Sequence, residues 1–223
     1  MFRKISFLVL IAALFGLIGL GLLFYKARPV TYISNEVNVT IPEGFNTDQI
    51  GEALESAGLF PKNTFTVQAK YEEGFLFPDT YRFYKDSTPA VAMAKMRENF
   101  NKKITPDVIA EIARQKKTLK DIVIMASILE EETKNDGDRK IVSGILWKRL
   151  QNSIGLQVDA VPDTYKYKGL PQAPISNPGL DAILAALHPI KSPYLFYLYG
   201  KDGQIHYAKN FEEHKLNKFQ YLR

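Results

Sequence analysis

Cysteine is absent from the 223 residues, which removes disulfides and thiolate metal sites without fixing the compartment. Histidine is scarce. His188, His206 and His214 stand in no HExxH or similar spacing, so a zinc site is not expected. The chain also lacks a GxSxG elbow, a Walker loop and a GxGxxG fingerprint, which argues against a serine triad and against nucleotide chemistry. Internal repeats and low-complexity tracts are missing as well. Charge is short of one sign only near the start: Arg3, Lys4, Lys26 and Arg28 precede residue 30, and no acid does. Of the 29 Lys and Arg, 29 less those four leaves 25 bases against 24 acids in the remainder. The basicity that gives a pI near 9.1 therefore belongs to the N-terminal segment, and no nucleic-acid partner is expected.

Long apolar runs are also few. The exception is Ile5–Tyr25, 21 residues without a charge, long enough at 1.5 Å rise to span a hydrocarbon core of about 30 Å. A secretory h-region is shorter, and Tyr25-Lys26-Ala27 makes a poor small-x-small cleavage site. The expectation is a cytoplasmic tail at 1–4, an uncleaved transmembrane helix at 5–25 and an exported body after a linker at 26–35.

Beyond the linker, Glu36–Ile41 alternates apolar and polar residues like a half-exposed strand. Pro42-Glu43-Gly44 turns the chain, and Asn46 or Thr47 caps a helix to about Ala57. Glu73–Phe83 is dense in aromatics around Pro78-Asp79 and is read as a core cluster with a turn. Thr88-Pro89 and Thr105-Pro106 pair an N-cap with proline at the first helical position, predicting helices near 89–102 and 106–116. Thr118 and Asp121 have capping-box spacing, and Asp138 opens a helix ending near Asn152. Residues 156–179 hold four prolines and form a long loop, more often functional than idle. A helix from Pro178 to about His188, a hairpin of Tyr194–Tyr199 with Gln204–Lys209, and a last short helix complete an α+β body.

The most informative stretch is Met125–Thr133, MASILEEET. It places three consecutive carboxylates at the end of an apolar helix, where they oppose the macrodipole and where burial of an unpaired charge is costly. At about 100° per residue, Ile122, Ala126 and Leu129 centre one apolar face. Glu132 lies at one edge, between Met125 and Ile128, and Glu130 at the other, beside Val123 and Ala126. Glu131 points to the polar pole. Glu130 and Glu132 are thus both candidates for a half-buried carboxylic acid held protonated by desolvation. With triads, metal clusters and phosphate loops set aside, the chemistry left is acid–base catalysis by carboxylate, as in glycosidic bond cleavage; the other reading is a helix C-terminal turn with solvated acids, against which stands their opposition to the macrodipole. Geometry does not choose between Glu130 and Glu132.

MASILEEET, with Arg149-Leu150, LQVD at Leu156–Asp159, TYKYKGLP at Thr164–Pro171 and PISNPGLDAI at Pro174–Ile183, resembles the YceG-like endolytic murein transglycosylase (MltG) family. EGFLFPDTY at Glu73–Tyr81, the pattern His206, Tyr207, Glu213, His214, and TIPEGFNTDQI at Thr40–Ile50 resemble the same family, the last as its LysM-like element. The resemblance implies an α+β fold: an N-terminal transmembrane helix, a small LysM-like strand–helix element at 36–72, and a mixed α+β YceG-like catalytic domain at 73–223. It also implies a single-pass protein of the bacterial cell (inner) membrane, its catalytic domain on the exterior or periplasmic side. The implied activity is cleavage of nascent peptidoglycan strands between N-acetylmuramic acid and N-acetylglucosamine, leaving 1,6-anhydro ends. Peptidoglycan synthases are the implied partners, and no metal or organic cofactor is implied. On the family's motif Glu132 is the catalytic acid and Glu130 its supporting residue, while Gln157, Asp159, Tyr165, Asn177, His206 and His214 support the site or bind substrate. Asn177 has a second reading as an N-cap before Pro178. Only Ala160–Asp163 separates LQVD from TYKYKGLP, a shorter stretch than is usual in the family. The alternative is a catalytically weak or inactive glycan-binding scaffold of the cell-wall synthesis machinery.

Overall fold

Short polar side chains set most of the helix starts. The computed structural model describes residues 35–133 and 135–223. In chain order these form β1 (Glu36–Ile41), α1 (Thr47–Ser56), α2 (Lys62–Ala69), β2 (Asp79–Tyr84), α3 (Pro89–Lys103), α4 (Pro106–Arg114), α5 (Leu119–Glu132) and α6 (Asp136–Gln151). A loop with a 3₁₀ turn at Pro162–Tyr165 leads to α7 (Leu180–Leu187), β3 (Phe196–Tyr199), β4 (Ile205–Ala208) and α8 (Phe211–Tyr221). Asn46 caps α1 in a reciprocal box with Gln49, and Thr118 caps α5 in the same way with Asp121. Thr88 and Thr105 cap α3 and α4 ahead of their prolines. The cap of α6 is Asn135, so that helix opens two residues before Asp138, which takes the third helical position. The expected tail at 1–4, the span at 5–25 and the linker up to residue 34 lie outside the described residues. Among the described residues no helix is long and apolar enough to cross a membrane.

β1 pairs antiparallel with β2, Val39 opposite Tyr81 and Val37 opposite Phe83. Alternation puts Val39 and Ile41 of one strand and Tyr81 and Phe83 of the other on the buried face. There they meet Ile50 and Leu54 of α1, Phe65 of α2 and Met96 of α3 in one hydrophobic cluster. Pairing thus carries the element drawn at 36–72 on to Tyr84. The aromatic stretch does supply core, with Leu76, Phe77, Tyr81 and Phe83 buried, but its second half is a strand. α2 has no side-chain cap and buries only Phe65 and Ala69, which is why no helical pattern announces it.

The second cluster is built around α5. Every residue from Ile122 to Leu129 is at most 3% exposed, so the helix is buried all round rather than along one face. α4, α6 and α7 pack against it, and Ser127, its one buried polar side chain, donates to Ile124 O (2.9 Å) and accepts from Ile175 N (3.1 Å). β3 and β4 form a separate antiparallel hairpin, Tyr197 opposite Tyr207.

Asn177 joins the two clusters. Its amide nitrogen donates to Phe45 O (2.9 Å) and Glu73 Oε1 (2.7 Å), and its Oδ1 accepts from the buried Leu76 amide (2.8 Å). Glu73 Oε2 in turn accepts from Thr47 N (3.0 Å) and Thr47 Oγ1 (2.8 Å). Backbone bonds Gly44 N to Asn177 O and Asn177 N to Phe45 O, both 3.0 Å, complete the knot. Asn177 does not cap α7; Gly179 occupies that position, and the helix begins at Leu180 rather than Pro178.

Candidate active site

The three acids at the end of α5 meet three different environments. Thr133 leaves the helix in extended conformation, and its hydroxyl donates to Leu129 O at 2.6 Å. Glu130 turns inward. Its Oε1 pairs with Arg139 of α6 at 3.1 Å, both side chains 9% exposed, and its Oε2 accepts from Gly179 N at the start of α7 (2.9 Å). Opposing the dipole of α5 is thus offset by an arginine and by the favourable end of another helix. Glu131 is at the surface as expected, yet burial of its carboxyl and then the neighbouring Glu130 raise its pKa. Glu132 faces a cavity of about 580 Å³. Its Oε2 accepts from Tyr197 Oη at 3.0 Å and its Oε1 from Ala160 N at 3.4 Å.

Three segments wall the cavity besides Glu132. The loop after α6 supplies Gln157, Asp159 and Tyr165. Gln157 sits at φ +51°, a left-handed conformation, and the turn is pinned by Val158 N to Thr164 Oγ1 (3.0 Å) and by Arg149 Nε to Gly155 O (2.9 Å). Arg149 Nη2 also donates to Gln157 Oε1. Tyr165 donates to Asp159 Oδ1 at 2.8 Å, and burial, then that bond, push its phenol up to about 12. The hairpin supplies Phe196 and Tyr197, whose phenol is held well above its usual range by burial and by Glu132. Both phenols therefore remain protonated donors. α8 supplies Phe211, His214 and Lys218. The His214 pKa is lowered by burial and then by the charges of Lys218 and Arg149.

The fold brings Glu132, Gln157, Asp159, Tyr165 and His214 together around one cavity. It places the other three candidates elsewhere. Glu130 is behind the wall, in its ion pair. Asn177 is fully buried and does not line the cavity, its amide being committed to the knot between the clusters. His206 stacks on Tyr221 with ring centroids 3.4 Å apart, and its Nε2 lies 3.0 Å from Asp202 Oδ2 at the hairpin's tip. Sequence reasoning missed Tyr197, Arg149, Phe196 and Lys218 as site residues. Arg149 did carry a signal, the Arg149-Leu150 pair that belongs to the family's motif. Tyr197 carried none, since an alternating strand gives no hint of which hydroxyl meets an acid from a residue far away in sequence.

The comparisons with known proteins point to one family. The model of the YceG-like family matches residues 26–161 and 163–220. A Bacillus subtilis protein named endolytic murein transglycosylase is 26% identical over 233 residues, taking in 82% of this chain and 65% of that protein. A Streptococcus pneumoniae protein of the same name is 26% identical over 245 residues, 82% of this chain and 44% of that protein. The chain thus spans less than two thirds of the length of either relative. A crystal structure of a YceG-like protein of Listeria monocytogenes superposes with a TM-score of 0.72 at 27% identity, covering 80% of this chain and 75% of that one. The family match takes in both hydrophobic clusters, the end of α5 and nearly all of the cavity wall, and the chain belongs to the YceG-like family.

Proposed function

We propose that this chain is an endolytic peptidoglycan lytic transglycosylase in which Glu132 is the single catalytic carboxyl group. The observation that carries the reading is Glu132 itself: of the three acids ending α5 it alone lines the cavity, with one oxygen held by Tyr197. The named relatives support the substrate class. Glu132 gives its proton to the glycosidic oxygen as the bond from that oxygen to C1 of the muramic residue breaks. The resulting carboxylate then takes the proton of the same sugar's 6-hydroxyl as O6 attacks C1, which closes the 1,6-anhydro ring and returns Glu132 to its acid form. Neither a protein nucleophile nor water is consumed. Tyr197 donates to Oε2 throughout, leaving Oε1 as the oxygen that exchanges the proton.

The anchor belongs to the same proposal, supported by the charge-free run Ile5–Tyr25; it would hold the enzyme at the cell membrane, facing nascent strands beside the synthases. We read the unit from β1 to β2 as the LysM-like element. A second reading, hydrolysis by water, is favoured by one observation: Asp159, a second carboxylate, lines the same cavity, as two-carboxylate glycosidases require.

Mass spectrometry of peptidoglycan digested by the full chain separates these. Anhydro-ended products that fall by about 10²–10⁴-fold in Glu132→Gln support the proposal. Reducing-end products transfer the case to the hydrolase, and binding without cleavage to a scaffold. Full activity in Glu132→Gln refutes the assignment.

A further inference from the structure

Among the described residues two arginines are buried, and the fold treats them differently. Arg139, 7% exposed, is paired with Glu130 and Asp136 and bonded to Thr133. Arg149, 5% exposed, has no carboxylate within ion-pair distance among the described residues. Its two hydrogen bonds go to neutral oxygens, Gly155 O and Gln157 Oε1, and its guanidinium lies 5.4 Å from the centroid of the Phe196 ring. Guanidinium does not discharge in proteins, so burial cannot be relieved by losing the proton. A buried cation without a counter-ion is costly, and here it lines the cavity with three of its five N–H donors unspent.

Two further groups stand at the same wall. Lys218 reaches the cavity from α8 and makes no ion pair among the described residues. His214 Nδ1 is buried without a hydrogen-bond partner. The cavity wall therefore carries both signs of charge: Glu132 and Asp159, each accepting from a tyrosine hydroxyl, and Arg149 and Lys218, which have no ion-pair partner among the described residues.

We propose that Arg149 and Lys218 form an anion subsite that takes a carboxylate carried by the glycan next to the bond being cut. The inference rests on the reading of this cavity as a peptidoglycan site. A planar guanidinium fork backed by a mobile ammonium matches a carboxylate in geometry and charge. On this substrate a carboxylate has two sources, the 3-O-lactyl group of a strand stripped of peptide or the stem peptide itself. The subsite would set which muramic residue enters the cleavage position, because N-acetylglucosamine has no acid to offer.

The test is a binding titration of full-chain Glu132→Gln, which binds without turnover. The probes are peptide-free strands with free lactyl carboxylates, the same strands with those groups amidated, and strands with intact stem peptides, before and after carboxyl amidation. The expected result is that at least one free-acid probe binds about tenfold tighter than its amidated counterpart. That preference should shrink with salt and fall by about threefold or more on adding Lys218→Met, an exposed position whose replacement spares the fold. Which pair shows it identifies the source. Equal binding of acid and amide in both pairs, or a preference undiminished by Lys218→Met, overturns the subsite. Parallel digestion by the wild-type chain keeps the two ideas apart: cleavage without a carboxylate preference sinks the subsite alone, and a preference without cleavage sinks the enzymatic reading alone.

Discussion

Replacing Asn177 with alanine should be among the most damaging polar substitutions in this protein, although the residue does not line the cavity. The side chain makes three hydrogen bonds of 2.7–2.9 Å. Its loss leaves the Leu76 amide buried without an acceptor, at about 1–3 kcal/mol, and withdraws from Glu73 a bond to a charged group of about 1.5–3 kcal/mol. With partial relaxation the net cost is about 3–5 kcal/mol. For a domain of this size each kcal/mol moves Tm by about 2–4 °C, so Asn177→Ala should melt about 6–20 °C lower. The loss should also depend on pH. Burial raises the Glu73 pKa, with Thr47 and Asn177 pulling it back. A carboxyl raised in the folded state favours folding most below the ordinary carboxylate pKa, and stability declines as pH rises through the folded value. Without the Asn177 donor that folded value climbs further, so Asn177→Ala should be penalised more near pH 8 than near pH 4. Urea unfolding of both proteins at the two pH values measures this. A difference below about 1 kcal/mol, or a penalty larger at low pH, would refute the reasoning.

Two other substitutions probe the end of α5. Tyr197→Phe removes the donor 3.0 Å from Glu132 Oε2; a hydrogen bond to a charged group is worth about 1.5–3 kcal/mol, so kcat should fall about 10–100-fold with KM little changed, and an unaltered kcat would dismiss Tyr197 as a positioning residue. Glu130→Gln leaves Arg139 buried without its partner and should cost about 3 kcal/mol in thermal unfolding; a protein that melts like the wild type would show that Asp136 alone satisfies the arginine.

Where local chemistry decides the outcome, the sequence was readable. The Thr-Pro pairs, the Asn46 and Thr118 boxes and the alternation of EVNVTI each act within a few residues, and the elements formed where those signals stand. Signals weaken where structure comes from packing. α2 carries too few apolar residues to declare itself, and β2 is a strand because β1 lies beside it, not because of any turn signal. α5 reads as amphipathic along one axis, and its all-round burial depends on how α4, α6 and α7 pack around it, which periodicity does not report.

By itself, the sequence pointed to carboxylate chemistry at the end of α5, since it offers no thiol, no triad elbow, no phosphate loop and no metal spacing. Helical periodicity narrowed three acids to two, because rotation about one axis is a local property. The family resemblance favoured Glu132 of those two, and the tertiary structure gave the physical difference between them. It closed Arg139 and Gly179 N over Glu130, opened Glu132 to a cavity, and put Arg149 into that cavity's wall without a carboxylate partner among the described residues. It also took Asn177 out of the site and made it a structural tie. Those assignments depend on which groups from distant segments meet and on which are desolvated when they do, and neither quantity exists until the chain has folded.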